Sequence, residues 1–200
     1  MSDGFYARRC KRPLDALLAG SLLVLLAPLL GLATLAVRLA LGRPVLFRQV
    51  RAGRDGVPFT VLKLRSMRPA AWPGEPDGAR LTAFGWVLRA SALDEWPQLL
   101  NVLRGEMSLV GPRPLPLDYI PLFTPRQRGR LRVRPGLMGL AVARGRNALP
   151  WAERLEWDAR YAERVSLGGD CAAALGSLGV LLRGQGVHAP AHPTSPRLDG

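Results

Sequence analysis

The longest apolar run of the sequence lies near its beginning, where the 22 residues from Ala16 to Val37 carry no charged side chain. No polar face interrupts the run, which disfavours an ordinary half-exposed helix. A helix of about 20 apolar residues is long enough to cross the hydrocarbon core of a bilayer. The pattern predicts a membrane helix, and three forms compete: a helix that spans the bilayer, a helix that enters and turns back, and a secretory signal.

Basic residues flank this run on both sides: Arg8, Arg9, Lys11 and Arg12 before it, and Arg38, Arg43, Arg48, Arg51 and Arg54 after it. Positive charge near a membrane segment favours the cytoplasmic side, and only a helix that turns back leaves both clusters there. Pro28 lies near the middle of the run, and a proline removes a backbone donor and can kink a helix. We therefore favour a re-entrant membrane helix over residues 11–42, kinked at Pro28.

Beyond this run the pattern changes to short elements. Two extended pieces at residues 45–47 and 59–62, separated by a glycine-containing turn, predict a β-hairpin. Helical patterns follow at residues 81–89, 97–103, 151–165 and 171–182. The third mixes aromatic residues with Arg and Glu, which suits a membrane interface or a half-buried helix. The predicted class is α+β and mainly helical, with a small β-hairpin and amphipathic interfacial helices.

The length of 200 residues suits one domain. We place a single membrane-embedded domain at residues 1–184. A tail containing Pro, Gly and His follows at residues 185–200 and is expected to be disordered.

The net charge of the chain limits the classes of molecule that it is expected to bind. The chain has 28 Lys and Arg residues against 15 Asp and Glu residues, a net charge of +13. This indicates nucleic acid, an anionic membrane face or phosphorylated substrates as partners. Nucleic-acid binding leaves the apolar run unexplained, so we expect no nucleic acid. The arginines that alternate from Arg126 to Arg134 are better explained by contact with anionic lipid or pyrophosphate.

Two adjacent carboxylates, Asp94 and Glu95, lie just before Pro97, where a helix is predicted to begin. The positive end of a helix stabilises anions and binds phosphate. A carboxylate pair there can hold Mg²⁺, and one carboxylate can attack a phosphoryl group. Acidic residues also favour the first helical turn simply as caps. Spacing alone leaves both interpretations open, as it does for Arg113 in the Gly-Pro-Arg-Pro turn, which either presents its guanidinium or is a solvated loop residue.

At these residues the chain resembles the bacterial sugar transferases, or monotopic phosphoglycosyl transferases. The resemblance runs from about residue 11 to about residue 187. It is carried by motifs in the family's order: Lys11-Arg12-Pro13-Leu14-Asp15, Arg43–Gln49 with Arg51 and Gly53, Pro58-Phe59, Lys63–Met67, Thr82, Phe84-Gly85 and Arg89, Asp94-Glu95 through Pro114, Arg134-Pro135-Gly136, Gly139, Gly145-Arg146-Asn147, and Asp158, Tyr161, Ser166 and Asp170. So many ordered motifs are far more specific than any one of them.

The resemblance implies transfer of a sugar-1-phosphate from a UDP-sugar to undecaprenyl phosphate, with release of UMP. This is a first membrane step of exopolysaccharide or glycoconjugate synthesis. Asp94 is implied as the nucleophile of a covalent phosphosugar intermediate and as a ligand of Mg²⁺. Glu95 is implied as its partner, which either positions it or acts as a base. Phosphate-binding positions are implied for five cationic residues: Lys63, Arg65, Arg89, Arg113 and Arg146.

The resemblance also implies a location in the cell, but it leaves the oligomeric state open. The protein is expected at the bacterial inner membrane, with the re-entrant helix among membrane lipids and the active site facing the cytoplasm. The chain is expected to be a minimal catalytic form, and its oligomeric state stays open between a monomer and a homodimer.

Three positions depart from the family pattern. Ala27 stands where the family often has Ser before the helix proline, so a hydroxyl that could bond a freed carbonyl is absent. Met138 and Val142 stand where the family commonly has Thr and Gln, and polar contacts from those two side chains are lost. The alternative function is therefore a catalytically silent, membrane-anchored paralogue that scaffolds glycan assembly.

Overall fold

The computed structural model describes residues 4–184 and Leu198, so the prediction of disorder for the tail falls almost entirely outside the described residues. The α-helices are α1 (Lys11–Leu41), α2 (Asp77–Arg80), α3 (Ala83–Ala90), α4 (Leu99–Arg104), α5 (Pro125–Arg128), α6 (Leu140–Ala143), α7 (Trp151–Glu163) and α8 (Leu167–Leu182). The strands are β1 (Leu46–Ala52), β2 (Pro58–Leu64), β3 (Ser108–Val110) and β4 (Gly136–Met138). The fold is α+β and mainly helical, as predicted.

Helix α1 continues a short π-helical turn, so that one helical stretch runs from Tyr6 to Leu41. The stretch is long and apolar enough to cross a membrane, with a mean hydropathy of 2.4 and only 11% of its most apolar window buried. Leucines on such a surface are stable in lipid and costly in water. The predicted apolar helix is confirmed, and its surface indicates membrane association. Pro28 lies within α1 and does not end it.

Strands β1 and β2 form the predicted antiparallel hairpin. Lys63 pairs with Phe47 across it. Because side chains alternate between the two faces of a strand, Phe47, Gln49 and Arg51 share one face of β1. Arg48 lies on the opposite face and is exposed. The hairpin therefore separates a lysine-bearing face from a solvent-facing one.

Strands β3 and β4 form a short parallel pair that brings two backbones unusually close. The backbone N–H of Gly111 donates to the carbonyl of Met138 at 2.8 Å. A Cβ at Gly111 would overlap the carbonyl oxygen of Arg134. Only glycine allows this approach, and the approach fixes the start of the loop that carries Arg113.

A buried polar network ties α1 to α8. Lys11 Nζ donates to Asp170 Oδ2 at 2.5 Å, and the Tyr161 hydroxyl donates to Asp170 Oδ1 at 2.7 Å. Ser108 Oγ donates to Asp15 Oδ2 at 2.6 Å. Buried charges are stable only when they are paired and hydrogen-bonded, so the network specifies how the membrane helix docks on the rest of the protein.

The helix predicted from residue 97 to residue 103 begins later in the structure, at Leu99. The chain turns at Ala92 and enters a 3₁₀ turn, Leu93–Gln98, before α4 begins. Pro97 has no N–H, so it cannot donate to a carbonyl of the preceding turn. Regular α-helical hydrogen bonding therefore begins only after the proline, and the two carboxylates lie within the 3₁₀ turn.

The arginines from Arg126 to Arg134 do not form the continuous basic surface that their alternation suggested. The segment folds into helical turns, whose period is not two. Arg130 is buried and pairs with Asp158, with 2.7 Å between Nη2 and Oδ2. Arg126 pairs with Glu156 at the surface, with 2.7 Å between Nε and Oε2. Arg130 therefore does not belong to a surface stripe, and contact of the exposed arginines with anionic lipid or pyrophosphate stays a prediction.

Candidate active site

The carboxylates Asp94 and Glu95 follow a strained backbone position. Ala92 has a φ of 56°, in the left-handed region that residues other than glycine seldom adopt. Strain of this kind costs about 1–3 kcal/mol and persists where the surrounding fold imposes it, often at functional sites. After this position Asp94 is only 7% exposed, and the Glu95 side chain is 12% exposed.

Glu95 is held by two cations. Lys63 Nζ and Arg113 Nη2 both donate to its Oε1, at 2.7 Å and 2.6 Å. Burial alone would raise the pKa of Glu95, but the charges of Arg113 and Lys63 outweigh it and hold that pKa well below its usual range. Glu95 is therefore ionised at neutral pH and fixed in position.

Asp94 lies in the same field but receives no hydrogen bond from the residues that the structure describes. Burial, and then the charge of Glu95, raise the pKa of Asp94 to about 6, while Lys63, Arg89 and Arg113 pull it down. A buried carboxylate that is ionised at neutral pH and has no donor bound to it retains its lone pairs for a ligand. Asp94 is thus chemically different from its neighbour.

Arg89 reaches the site from the end of α3. Its Nε donates to Ser66 Oγ at 2.8 Å. Helix α3 begins at Thr82, whose hydroxyl caps it by accepting from the N–H of Gly85 at 3.0 Å. A Cβ at Gly85 would overlap the carbonyl oxygen of Ser66. The glycine lets α3 pack directly against the segment after β2, which brings Arg89 to the carboxylates.

Arg113 is supported from behind by a buried ion pair. Arg130 Nη2 donates to the backbone carbonyl of Arg113 at 2.6 Å, and the same atom donates to Asp158 Oδ2 at 2.7 Å. Burial raises the pKa of Asp158, and the Arg130 charge opposes that rise. The pair fixes the backbone of Arg113 while its guanidinium faces Glu95.

These residues line one cavity of about 900 Å³. Four of the five cations that the sequence indicated are among its lining residues: Lys63, Arg65, Arg89 and Arg113. The side chain of Arg146 lies outside the described part of the structure. The cavity is of a size that accommodates a nucleotide-sized ligand.

Arg65 differs from the other cations. Its Nη1 donates to the carbonyl of Arg43 at 3.2 Å, and its Nη2 donates to the carbonyl of Leu41. These carbonyls lie at and just beyond the end of α1, where backbone acceptors lack helical partners. The guanidinium therefore anchors the end of the membrane helix, although the residue borders the cavity.

The cavity also contains residues that the site prediction did not include: Gln49, Arg51, Val142, Asn147, Trp151, Arg154 and Asp158. Gln49 and Arg51 could have been found from the period-two pattern of β1, since they share a face with Phe47. The α7 residues could not, because no local pattern relates α7 to the hairpin. Val142 places one departure from the family pattern on the cavity wall.

No group of three or more His, Cys, Asp or Glu side chains suited to a metal occurs in the residues that the structure describes. The Asp94 carboxylate, which lines the cavity, is the candidate for a metal ligand. Magnesium is often bound through one or two carboxylates, with substrate phosphate and water completing its shell. The donor set is compatible with that mode.

Comparison with known sequences identifies the class. The profile of the family described as bacterial sugar transferase matches residues 6–184. The chain belongs to the bacterial sugar transferase family, as its motifs predicted.

Several relatives refine this assignment. The chain is 43% identical over 167 residues to the uncharacterized sugar transferase EpsL of Bacillus subtilis, covering 82% of this chain and 83% of that one. It is 49% identical over 143 residues to the UDP-glucose:undecaprenyl-phosphate glucose-1-phosphate transferase of Caulobacter vibrioides, covering 68% of this chain and 54% of that protein. It is 37% identical over 180 residues to the exopolysaccharide production protein ExoY of Rhizobium meliloti, covering 80% of each. The chain thus spans about half the length of the Caulobacter relative.

Proposed function

We propose that this protein transfers a sugar-1-phosphate from a UDP-sugar to undecaprenyl phosphate, giving undecaprenyl-diphosphate-sugar and UMP. The observation that carries the proposal is the buried Asp94 carboxylate, which has no hydrogen bond from the described residues and is surrounded by Lys63, Arg89 and Arg113. The Caulobacter relative is named for this reaction with glucose, which supports the substrate class.

The reaction proceeds in two displacements at one phosphorus. First, an Asp94 oxygen bonds to the phosphorus that carries the sugar, and the bond from that phosphorus to the bridging oxygen breaks, so that UMP leaves. A phosphate oxygen of undecaprenyl phosphate then bonds to the same phosphorus, and the bond to Asp94 breaks. Nucleophilic catalysis of this kind lets a water-soluble donor and a lipid acceptor use one site in turn.

The remaining residues of the site orient groups and stabilise charge. Phosphoryl transfer needs mainly positioning and electrostatic stabilisation, which Lys63, Arg89 and Arg113 supply. Glu95 accepts from Lys63 and Arg113 through one oxygen, so its role is to hold these cations beside Asp94. Its low pKa makes it a poor proton acceptor near neutral pH.

Magnesium fits this site through Asp94, because the carboxylate oxygens receive no hydrogen bond from the described residues. When bound, the ion would neutralise charge on the transferred phosphoryl group. The cationic side chains of the site stabilise the same negative charge.

The contacts of α1 support a re-entrant arrangement at the inner membrane, with the site facing the cytoplasm. Near its beginning, Arg12 donates to the carbonyls of Val102 and Leu103 at 2.6 Å and 2.8 Å. At its end, the carbonyls of Leu41 and Arg43 accept from Arg65. Both ends of α1 are thus attached to one body that carries the active site. Both basic clusters then lie on one side, which the preference of positive charge makes cytoplasmic.

Release of UMP tests the function directly. Protein in nanodiscs with Mg²⁺ and undecaprenyl phosphate is given a panel of UDP-sugars, beside the variants Asp94→Asn and Asp55→Asn. Asp55 is the matched control because it is an exposed aspartate in the hairpin turn. UMP from one sugar with wild type and Asp55→Asn, and none with Asp94→Asn, is expected.

Intact-protein mass spectrometry tests the intermediate. With UDP-sugar and no lipid acceptor, wild type should gain the mass of one sugar phosphate, and Asp94→Asn should gain none. Normal turnover by Asp94→Asn would contradict the nucleophile. A folded wild-type protein that releases no UMP from any UDP-sugar would instead favour the silent scaffold.

A further inference from the structure

The cavity arginine Arg51 is hydrogen-bonded to an amide, and no ion pair holds it among the described residues. Arg51 lies on the same face of β1 as Phe47, and it lines the cavity together with Gln49. Its Nε and Nη2 both donate to Gln49 Oε1, at 3.1 Å and 2.5 Å. Within the described chain, residues 4–184 and Leu198, no carboxylate forms an ion pair with Arg51. An amide oxygen therefore fixes the direction of this guanidinium without neutralising it.

On balance, the surroundings of Arg51 disfavour its positive charge. Burial, and then the nearby charge of Arg113, lower the pKa of Arg51 to about 10, and Asp118 and Glu95 offset only part of this effect. The nearby carboxylate oxygen Glu95 Oε1 already accepts from Lys63 and Arg113. An anionic ligand is therefore favoured beside Arg51.

Arg51 stands away from the nucleophile. Phe47 lies opposite Lys63, and Arg51 follows four residues later on β1, which is about 13 Å along a strand. Arg113 is the charge that acts most on Arg51, whereas Asp94 is the charge that acts most on Arg89. Arg51 pairs with Phe59, four residues before Lys63 on β2, so it lies towards the other end of the hairpin from the lysine that holds Glu95.

We propose that Arg51, oriented by Gln49, binds the phosphate of the leaving nucleotide, that is, the phosphate of the donor that departs as UMP. The inference rests on the proposed function. When the bond from the attacked phosphorus to the bridging oxygen breaks, that oxygen gains negative charge on the departing phosphate. A guanidinium offers forked donors for such oxygens, and Nη1 of Arg51 donates to no other described residue.

Two cavity variants and one matched control test this assignment. Arg51→Gln removes the cation. Gln49→Glu keeps the shape of the Gln49 side chain but adds a carboxylate that neutralises Arg51. Arg48→Gln is the control, since Arg48 is an exposed arginine on the other face of the same strand. Each protein is assayed for kcat and KM with the UDP-sugar that it uses and for inhibition by UMP, with thermal unfolding as the check of folding.

A charge-assisted hydrogen bond to phosphate corresponds to about a tenfold to hundredfold change in affinity. Arg51→Gln and Gln49→Glu should each raise the UMP inhibition constant by about that factor, while Arg48→Gln should leave it unchanged. A purely structural role predicts the opposite for Gln49→Glu, because a carboxylate would strengthen the pair with Arg51 and leave UMP inhibition intact.

The outcomes separate this inference from the function on which it rests. Folded wild type that releases no UMP from any UDP-sugar would overturn the proposed function. Active wild type with unchanged UMP inhibition in folded Arg51→Gln and Gln49→Glu would overturn the inference alone. If Arg51→Gln fails to fold, Gln49→Glu decides the question, because unchanged UMP inhibition in that folded variant would by itself overturn the inference.

Discussion

Arg113 Nη2 and Glu95 Oε1 lie 2.6 Å apart, and Lys63 Nζ shares the same oxygen at 2.7 Å. One carboxylate thus gathers two cations next to Asp94, which itself accepts no hydrogen bond from the described residues. Asp94 and Glu95 are adjacent carboxylates with different roles, because only Glu95 forms ion pairs. The consequences can be measured.

Activity should depend on the ionisation of Asp94. A nucleophilic carboxylate must be deprotonated, and burial raises the pKa of Asp94 to about 6. We expect kcat/KM to fall about tenfold per pH unit below about pH 6 and to level off above it. Since Lys63 lowers that pKa, Lys63→Met should shift the whole profile to higher pH. The profile is measured by UMP release at constant ionic strength, and a flat profile would count against ionised Asp94 as the nucleophile.

The raised pKa of Asp94 also affects stability, which this group lowers as the pH rises, whereas activity increases with pH. The folded protein holds the Asp94 proton more tightly than the unfolded chain does, so this group favours the folded state less as the pH rises from 3.8 to about 6. Asp94→Asn removes the titrating group. Comparison of thermal unfolding with wild type should therefore show the largest advantage of the variant above about pH 6.

Arg65 should act on stability rather than on donor binding. Its guanidinium donates to the carbonyls of Leu41 and Arg43, and a lysine cannot serve both positions with a fork. Arg65→Lys should lower the free energy of unfolding by about 1–3 kcal/mol, with KM for the UDP-sugar unchanged. Thermal unfolding and steady-state kinetics measure the two effects. A raised KM with wild-type stability would return Arg65 to the phosphate-binding residues, as its resemblance implied.

Asp170 should be among the most sensitive acidic residues outside the active site. It accepts from Lys11 and from the hydroxyls of Tyr6 and Tyr161. Loss of one partner of a buried ion pair costs about 3–5 kcal/mol, so Asp170→Asn should strongly lower the unfolding temperature in nanodiscs.

The control for Asp170 is Glu163→Gln, which breaks a pair with Arg126 in which both side chains are about half exposed. An exposed pair contributes only about 0–1 kcal/mol. Equal unfolding temperatures for the two variants would show that the buried network does not hold α1 in place.

Most elements of the fold could be predicted because they have local signatures. The apolar run predicted the long N-terminal helix, the glycine-containing turn predicted the hairpin, and helical spacing predicted α3, α7 and α8. The 3₁₀ turn was missed, because the left-handed backbone of Ala92 has no signal in its side chain. The phosphate-binding roles of Arg89, Arg113 and Arg146 remain predictions. The Asp94 and UMP experiments do not test these roles directly.

By itself, the sequence determined the membrane helix, the family and the carboxylate pair, since hydrophobic runs and ordered motifs are properties of neighbouring residues. The tertiary structure alone decided what each charge does. Lys63 and Glu95 are 32 residues apart, yet they form an ion pair, and Arg130 is buried while Arg126 is exposed within one alternating series. The pairing of a charge depends on which elements pack together, and neither the sign of the charge nor its spacing along the chain contains that information.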